Sequence, residues 1–325
     1  TISGFTTSDL REQQTLQVGH DFRIGGEGLT VSNLFTYAWA RPSVADDADI
    51  RANTLLNTFE LGFPIVRKLT RTVRAAAGVD FVNQDVKLDG IKLTRDRLRV
   101  AYARLGFDTI SDDFSRPYVS LAEPLWRLAG DVSVRKGLSI FGASEYCGPT
   151  GSRCLGPGEV PPSRLEGRPT AWVVRGNAYG ELRPVRNLSF GLNLRTQYAW
   201  KPLMSFEEYS VGNYTVGRGY DPGTLIGDRG IGVQGEVRIG SMMQRSAKRP
   251  AVQAYGFWDW AKVSNRDRLT VLDQNDHLNS VGGGLRVGFG RFALDTAVAV
   301  PLTRVGLLYE KPDPRVLVSL TTRLW

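Results

Sequence analysis

A two-residue alternation, repeated from one end of the chain to the other, limits what this sequence can fold into more than any other property. From Asn187 to Trp200, the residues Leu188, Phe190, Leu192, Leu194, Thr196, Tyr198 and Trp200 share one parity, while Ser189, Asn193, Arg195 and Gln197 share the other. Successive side chains of an extended strand point to opposite faces, so this segment reads as a strand with an oily side and a wet side. Leu16, Val18, His20, Phe22 and Ile24 repeat the pattern against Gln13, Thr15, Gln17, Asp21 and Arg23. One such strand fits a soluble half-buried sheet equally well, so number and length decide. Cores at 1 to 8, 13 to 24, 28 to 40, 53 to 66, 71 to 85, 94 to 108, 129 to 143, 170 to 183, 187 to 201, 231 to 240, 250 to 263, 279 to 289, 291 to 302 and 315 to 325 give about fourteen segments. They run to about the 9–11 residues of a tilted transmembrane strand, or longer. Helical periodicity is nowhere sustained. The expected fold is an all-β, antiparallel transmembrane barrel.

No Pro/Ser-rich linker or break in composition divides the 325 residues, so residues 1–325 read as one barrel domain. A mean hydropathy of -0.21 and the lack of any apolar run long enough for a spanning helix exclude a helical membrane protein. The same values suit a barrel, whose inner face is as polar as its outer face is greasy. Tyr37 and Trp39, Trp172, Tyr198 and Trp200, Trp258 and Trp260, and the terminal Trp325 cluster near strand ends on the outward parity, as interfacial girdles do. The formal net charge of +8 has no basic block or aromatic-basic stripe behind it, so nucleic acid is not indicated as a partner. A polar lumen, anionic lipid headgroups and ordinary solvated charge all account for it.

Connections predicted short at 25 to 27, 66 to 68, 185 to 186 and 290 to 291 alternate with ones predicted long at 41 to 52, 86 to 93, 145 to 168, 201 to 230 and 264 to 278. Short turns on the periplasmic side and long loops outside are the habit of outer-membrane barrels. The stretch 109 to 128 breaks the rule, being long at a periplasmic position, and reads as an irregular inserted turn. Cys147 and Cys154 share one Gly/Pro-rich loop, and a disulfide there would stabilise it by roughly 2–3 kcal/mol on the chain-entropy model. A metal site is not expected, since neither His20 nor His277 is near in sequence.

The loop YSVGNYTVGRGYDPGTLIGDRGI, Tyr209 to Ile231, is about 30 residues long with its flanks and starts on the outer side. Its glycines permit close approach to a wall, and Arg218, followed by Gly219 and Tyr220, sits at the tip. Folded inward, that arginine needs a carboxylate. In AVQAYGFWDWAKV the outward parity of Val252, Ala254, Trp258 and Trp260 turns Gln253, Tyr255, Phe257 and Asp259 toward the lumen. Asp259 is the expected partner. Glu236 is the competitor, with Arg238 on its own face as a neighbour that could occupy it. Asp228 and Arg229 are further luminal candidates. The alternative is that Arg218 caps a turn in solvent.

The combination VGRGYDPG, IGDRG, GVQGEVRIG and FWDWA resembles the outer-membrane transporters of two-partner secretion, the hemolysin secretion and activation family, within the superfamily that also holds the barrel-assembly insertases. LTRDRLRVAYARL, VSVRKGLSIFGAS and SFEEYSVGNYTVGRGY extend the resemblance over most of the chain. It implies a sixteen-stranded barrel in the Gram-negative outer membrane whose sixth outer loop folds into the pore. There its arginine, matching Arg218, engages the aspartate of an F-x-D-x-G motif on strand thirteen, matching Phe257 and Asp259. Ala261 stands where that motif has glycine, and Gly217 separates Val216 from Arg218. Family members carry a leader, a plug helix and two periplasmic polypeptide-transport-associated domains before the barrel. None is visible ahead of Thr1, so the chain is expected to be a barrel portion that opens inside strand three.

The resemblance implies a pore that exports a large secreted partner polypeptide, unfolded in transit, without cofactor or nucleotide. Outer-membrane lipid and, during biogenesis, the barrel-assembly machinery are the other partners it implies. The alternative is an insertase for other outer-membrane proteins. A passive porin is a third reading, and an enzyme is the weakest, because no Ser/His/Asp set is present.

Overall fold

The computed structural model describes all residues except 8–11, 42–48, 149, 152, 214, 245, 247, 268–274, 306–310 and 323–325. The strands are β1 (Ile2–Thr6), β2 (Gln13–Ile24), β3 (Leu29–Ala40), β4 (Ile50–Arg67), β5 (Arg71–Leu88), β6 (Ile91–Ile110), β7 (Trp126–Gly137), β8 (Trp172–Val185), β9 (Leu188–Ala199), β10 (Tyr209–Val211), β11 (Leu225–Gly227), β12 (Arg229–Gly240), β13 (Ala251–Ser264), β14 (Asn275–Phe289), β15 (Phe292–Pro301) and β16 (Arg315–Thr322). All but β10 and β11 form one 14-stranded antiparallel sheet in chain order, and β10 pairs with β11 separately. The sheet is open among the described residues, with β1 and β16 as its edges.

Alternation dictates which side of each strand faces in. Along β13, Ala251, Gln253, Tyr255, Phe257, Asp259, Ala261 and Val263 are buried, while Val252, Trp258 and Lys262 are exposed. On the outward parity, Leu16, Val18, Phe22, Phe190, Leu192, Trp172, Tyr198, Val237 and Val252 are all exposed. So broad an apolar exterior belongs in lipid rather than water. The tightest apolar packing lies inside, where loop residues Tyr209, Val211, Val216, Tyr220 and Leu225 meet Ala261, Val263 and Leu278 of the wall.

Three details differ from the sequence expectation. The span 86 to 93 is not a long loop: β5 and β6 continue to a two-residue turn at Asp89 and Gly90, with φ of 49° and 82°. Positive φ at both positions is the mirror-type hairpin turn that Asp-Gly favours. Strand β7 ends at Gly137, where a Cβ would meet the Pro169 carbonyl, so 138–143 belongs to the outer loop and not to the strand. His277 sits on β14 opposite Lys262 rather than in a loop. The stretch between β6 and β7 is irregular, as the sequence suggests, and it packs at the end of the sheet opposite the β9–β12 loop, with the Tyr118 hydroxyl donating to the Pro184 carbonyl at 2.8 Å. The terminal Trp325 lies outside the described residues.

Candidate functional site

The loop between β9 and β12 turns into the sheet's concave side and is held upright by the β10–β11 pairing, Tyr209 opposite Gly227 and Val211 opposite Leu225. Just beyond that neck Gly212 has a φ of +125°, and a Cβ there would lie 1.9 Å from the Asp221 carbonyl oxygen, so only glycine closes the turn. The tip is thereby pressed against β13 and β14. Tyr220 is fully buried; its hydroxyl donates to the Asn279 carbonyl at 2.7 Å and accepts from the Thr303 N–H at 2.9 Å. The Gly219 N–H points at Ser280 Oγ, 3.4 Å away.

Arg218 meets Asp259 three times. Its Nη2 lies 2.7 Å from Oδ1, its Nε 3.0 Å from Oδ2, and its backbone N–H donates to Oδ2 at 2.9 Å. Asp259 has no solvent exposure, and the fork geometry is the one in which a guanidinium and a carboxylate bind most strongly. The Phe257 ring underlies the guanidinium with Cζ 3.6 Å from its centroid, adding a desolvated cation–π contact. Glu236 is a second partner rather than a competitor, accepting from Arg218 Nη1 at 2.6 Å. Arg238 also reaches Glu236, Nε to Oε2 at 2.7 Å, because a carboxylate offers enough lone pairs for both.

A residue that sequence reasoning missed completes the cluster. Arg286 of β14 donates to both Glu236 oxygens at 3.1 Å and to Asp295 at 2.9 Å, and stacks 3.9 Å over Tyr255. Its inward parity opposite Gln253 was legible; its height beside Glu236 was not, since that depends on the β12–β13–β14 register. Arg238 links onward to Glu181 at 3.3 Å and to the Tyr179 hydroxyl at 3.1 Å. Arg218, Arg238 and Arg286 thus join the carboxylates of Asp259, Glu236, Glu181 and Asp295 in one connected lattice on the wall, with Arg183 as a further partner of Glu181.

Asp228 and Arg229 lie elsewhere. Asp228 is buried at the base of the neck, where it accepts from Arg164 at 2.6 Å and from the N–H groups of Leu203 and Arg266 at 2.7 and 2.6 Å. Arg229 has outward parity. Its guanidinium stacks 3.9 Å over the exposed Tyr198 ring and donates to the Ala199 carbonyl at 2.8 Å, so it belongs to the outer aromatic zone and not to the lumen. Cys147 and Cys154 form a disulfide with a Cα separation of 5.3 Å, closing the outer loop between β7 and β8 on itself. Among the described residues no set of His, Cys, Asp and Glu has the grouping of a metal site.

An antiparallel sheet with an apolar outward face and an arginine-tipped loop seated on its inner face defines the class, an outer-membrane β-barrel. The family model for the haemolysin secretion/activation protein ShlB/FhaC/HecB matches residues 33–287, and the chain belongs to that family. It is a family of two-partner secretion transporters of the Gram-negative outer membrane, in the Omp85 superfamily. Among solved structures the chain is similar to CdiB from Escherichia coli, with a TM-score of 0.76 and 12% identity over 95% of this chain and 53% of that one. It is also similar to CdiB from Acinetobacter baumannii, with a TM-score of 0.67 and 16% identity over 96% and 50%. BamA from Haemophilus ducreyi lacking POTRA domains 1-3 matches with a TM-score of 0.62 and 12% identity over 96% and 62%. The chain therefore spans about half to three-fifths of these structures, and at such identities the likeness is one of fold. No curated protein sequence matches it.

Proposed function

We propose that residues 1–325 form one barrel domain through which a large secreted partner polypeptide crosses the outer membrane, with Arg218, Gly219, Tyr220, Phe257 and Asp259 as the latch of the inward loop. The observation that carries this reading is the seating of Arg218 between Asp259 and Glu236 on the luminal wall. A loop lying in a pore obstructs it, and a loop held by charge-assisted hydrogen bonds has two discrete states, docked and released. Removing one member of a buried pair costs about 3–5 kcal/mol, which partial hydration of the lumen reduces. The pair therefore serves as a releasable hold rather than as a source of fold stability.

Neither nucleotide nor cofactor enters the scheme; folding of the exported chain outside supplies direction, and a polar wall that binds weakly at many places lets an extended chain advance. The exposed apolar outer face supports contact with outer-membrane lipid, and the barrel-assembly machinery is the partner proposed during biogenesis. The insertase alternative is not favoured, because the family match is to secretion and activation and the likeness to BamA concerns the fold. Arg218→Ala is expected to reduce export strongly while the barrel still assembles, as read by heat-modifiable mobility on gels and by antigen in the medium. Export at the parental level by that variant would remove the latch from the scheme.

A further inference from the structure

The root of the inward loop makes a contact that the Arg218 site does not explain. After β9 the chain passes Pro202, buries Leu203 and Met204, and makes one 3-10 turn at Ser205–Glu207. Met204 packs with Val82, Leu98 and Val100, and Phe206 lies against the same patch. This fixes Glu207 against wall residues on β5 to β9, none of which belongs to the Arg218 lattice, which runs over β12 to β15 and touches β8 at Tyr179 and Glu181.

Two guanidiniums receive the Glu207 carboxylate. Arg135 of β7 donates through Nη2 to Oε1 at 2.8 Å and through Nε to Oε2 at 3.1 Å, a bidentate fork. Arg175 of β8 donates to Oε2 at 3.1 Å. Arg175 and Gln197 also both donate to the Glu207 carbonyl at 2.9 Å, so the backbone is gripped with the side chain. Asp80 of β5 orients Arg135 from behind at 2.8 Å. The Arg135, Asp80 and Glu207 side chains are about nine-tenths buried, 10%, 10% and 8% exposed. One wall carboxylate facing two wall guanidiniums leaves a positive charge that the loop's own glutamate neutralises.

We infer that Arg135 and Arg175 form a carboxylate-binding site on the luminal wall in which Glu207 sits as a built-in ligand, so that the loop is latched at two independent points. The inference rests on the reading of the loop as a gate and adds what releases it. Arg218 is freed when a cation competes for Asp259 and Glu236; Glu207 is freed when an anion competes for Arg135 and Arg175. The ligand class for the second site is therefore an acidic side chain of the polypeptide in transit, and a segment carrying both signs of charge opens the pore where a purely basic one does not.

The test uses the full-length protein with spin labels at Ser205→Cys or Pro222→Cys, the native disulfide left intact, and planar-bilayer conductance. Glu207→Gln is expected to mobilise the label at 205 and leave the one at 222 unchanged, and Arg218→Ala to do the reverse. The double variant is expected to raise conductance about tenfold over either single one, since neither anchor then remains. Arg175→Gln, which leaves the Asp80–Arg135 pair in place, is the second variant if Glu207→Gln fails to assemble, and it carries the same expectation for the label at 205. A label at 205 that ignores the substitution, or a double variant no more conductive than Arg218→Ala, overturns the second latch. Normal export by Arg218→Ala would instead overturn the gate reading, which the label readout does not depend on.

Discussion

At the residue scale, one guanidinium does what a generic positive charge could not. Arg218 spends Nε and Nη2 on the two oxygens of Asp259 and Nη1 on Glu236, with its plane lying on Phe257. A lysine at 218 keeps the charge but offers a single point of contact and no plane to stack. Hydrogen bonds to charged groups contribute roughly 1.5–3 kcal/mol each, so the loss of one or two shifts docking by about tenfold or more. Arg218→Lys is therefore expected to lower export nearly as far as Arg218→Ala; recovery to most of the parental secretion would show that charge alone suffices. The neighbouring Gly219 is constrained for a different reason: a Cβ there would stand 2.9 Å from Pro301 N and 3.1 Å from Pro301 Cα, which are backbone atoms that cannot step aside. Parity in the sequence was enough to bring Arg218 and Asp259 to one wall. It could not rank Glu236 as partner or competitor, because Arg286 reaches it only through cross-strand register. The expectation of Arg229 in the lumen went against the odd parity of that position, which pointed to the Tyr198 side.

At the scale of elements, three loops, those after β7, β9 and β13, meet at Arg164. That residue, from the loop between β7 and β8, reaches Glu208 at 2.7 Å, Asp228 at 2.6 Å and Asp267 at 2.8 Å. Burial lowers the Arg164 pKa, but the three carboxylates around it outweigh that and raise it, yet they cannot all be stabilised by one guanidinium. Asp228 has two backbone N–H donors as well; Glu208 is left as the group that burial, and then Asp228 and Asp267, push up to about 7 against the pull of Arg164. An acid raised on docking is held more tightly in its protonated form. Docking is thus strongest below the ordinary glutamate range near 4.5 and weakens as pH rises through about 7. Hydrogen exchange over 200 to 208 is expected to be faster at pH 8.5 than at pH 5.5 after correction for intrinsic rate, and Glu208→Gln to abolish the difference. An unchanged difference in that variant would assign the effect to another group. The disulfide and the presence of these long loops were legible in the sequence. Their meeting at Arg164 was not, since no local pattern joins residues 64 apart when both lie in irregular chain.

At the scale of the whole molecule, the same alternation that fixes the lumen fixes its opposite. The number of strands in the wall and their inner parity were legible because each strand repeats the pattern independently, and an error in one leaves its neighbours readable. The β5–β6 hairpin was misread where extended strands continue past the membrane band and only the Asp-Gly pair marks the turn. What parity cannot state is which medium covers the outer face, since a large soluble sheet would alternate too; the energetic consequences differ in sign. Leu192, near the middle of β9 and 53% exposed, faces outward, and its neighbour Asn193 lines the luminal side with Asn177 and Gln234. In lipid an arginine at mid-barrel on the outward face costs about 2–4 kcal/mol, whereas luminal changes mainly tune the pore. In water an exposed Leu→Arg change stays within about 0.5 kcal/mol, because the guanidinium remains hydrated. Leu192→Arg is accordingly expected to lower the unfolding free energy of the reconstituted barrel by about 2–4 kcal/mol in a urea titration, with Asn193→Arg close to neutral. A neutral Leu192→Arg would mean that the outward face meets water, and the lumen, the latch and the export path would then have no membrane to cross.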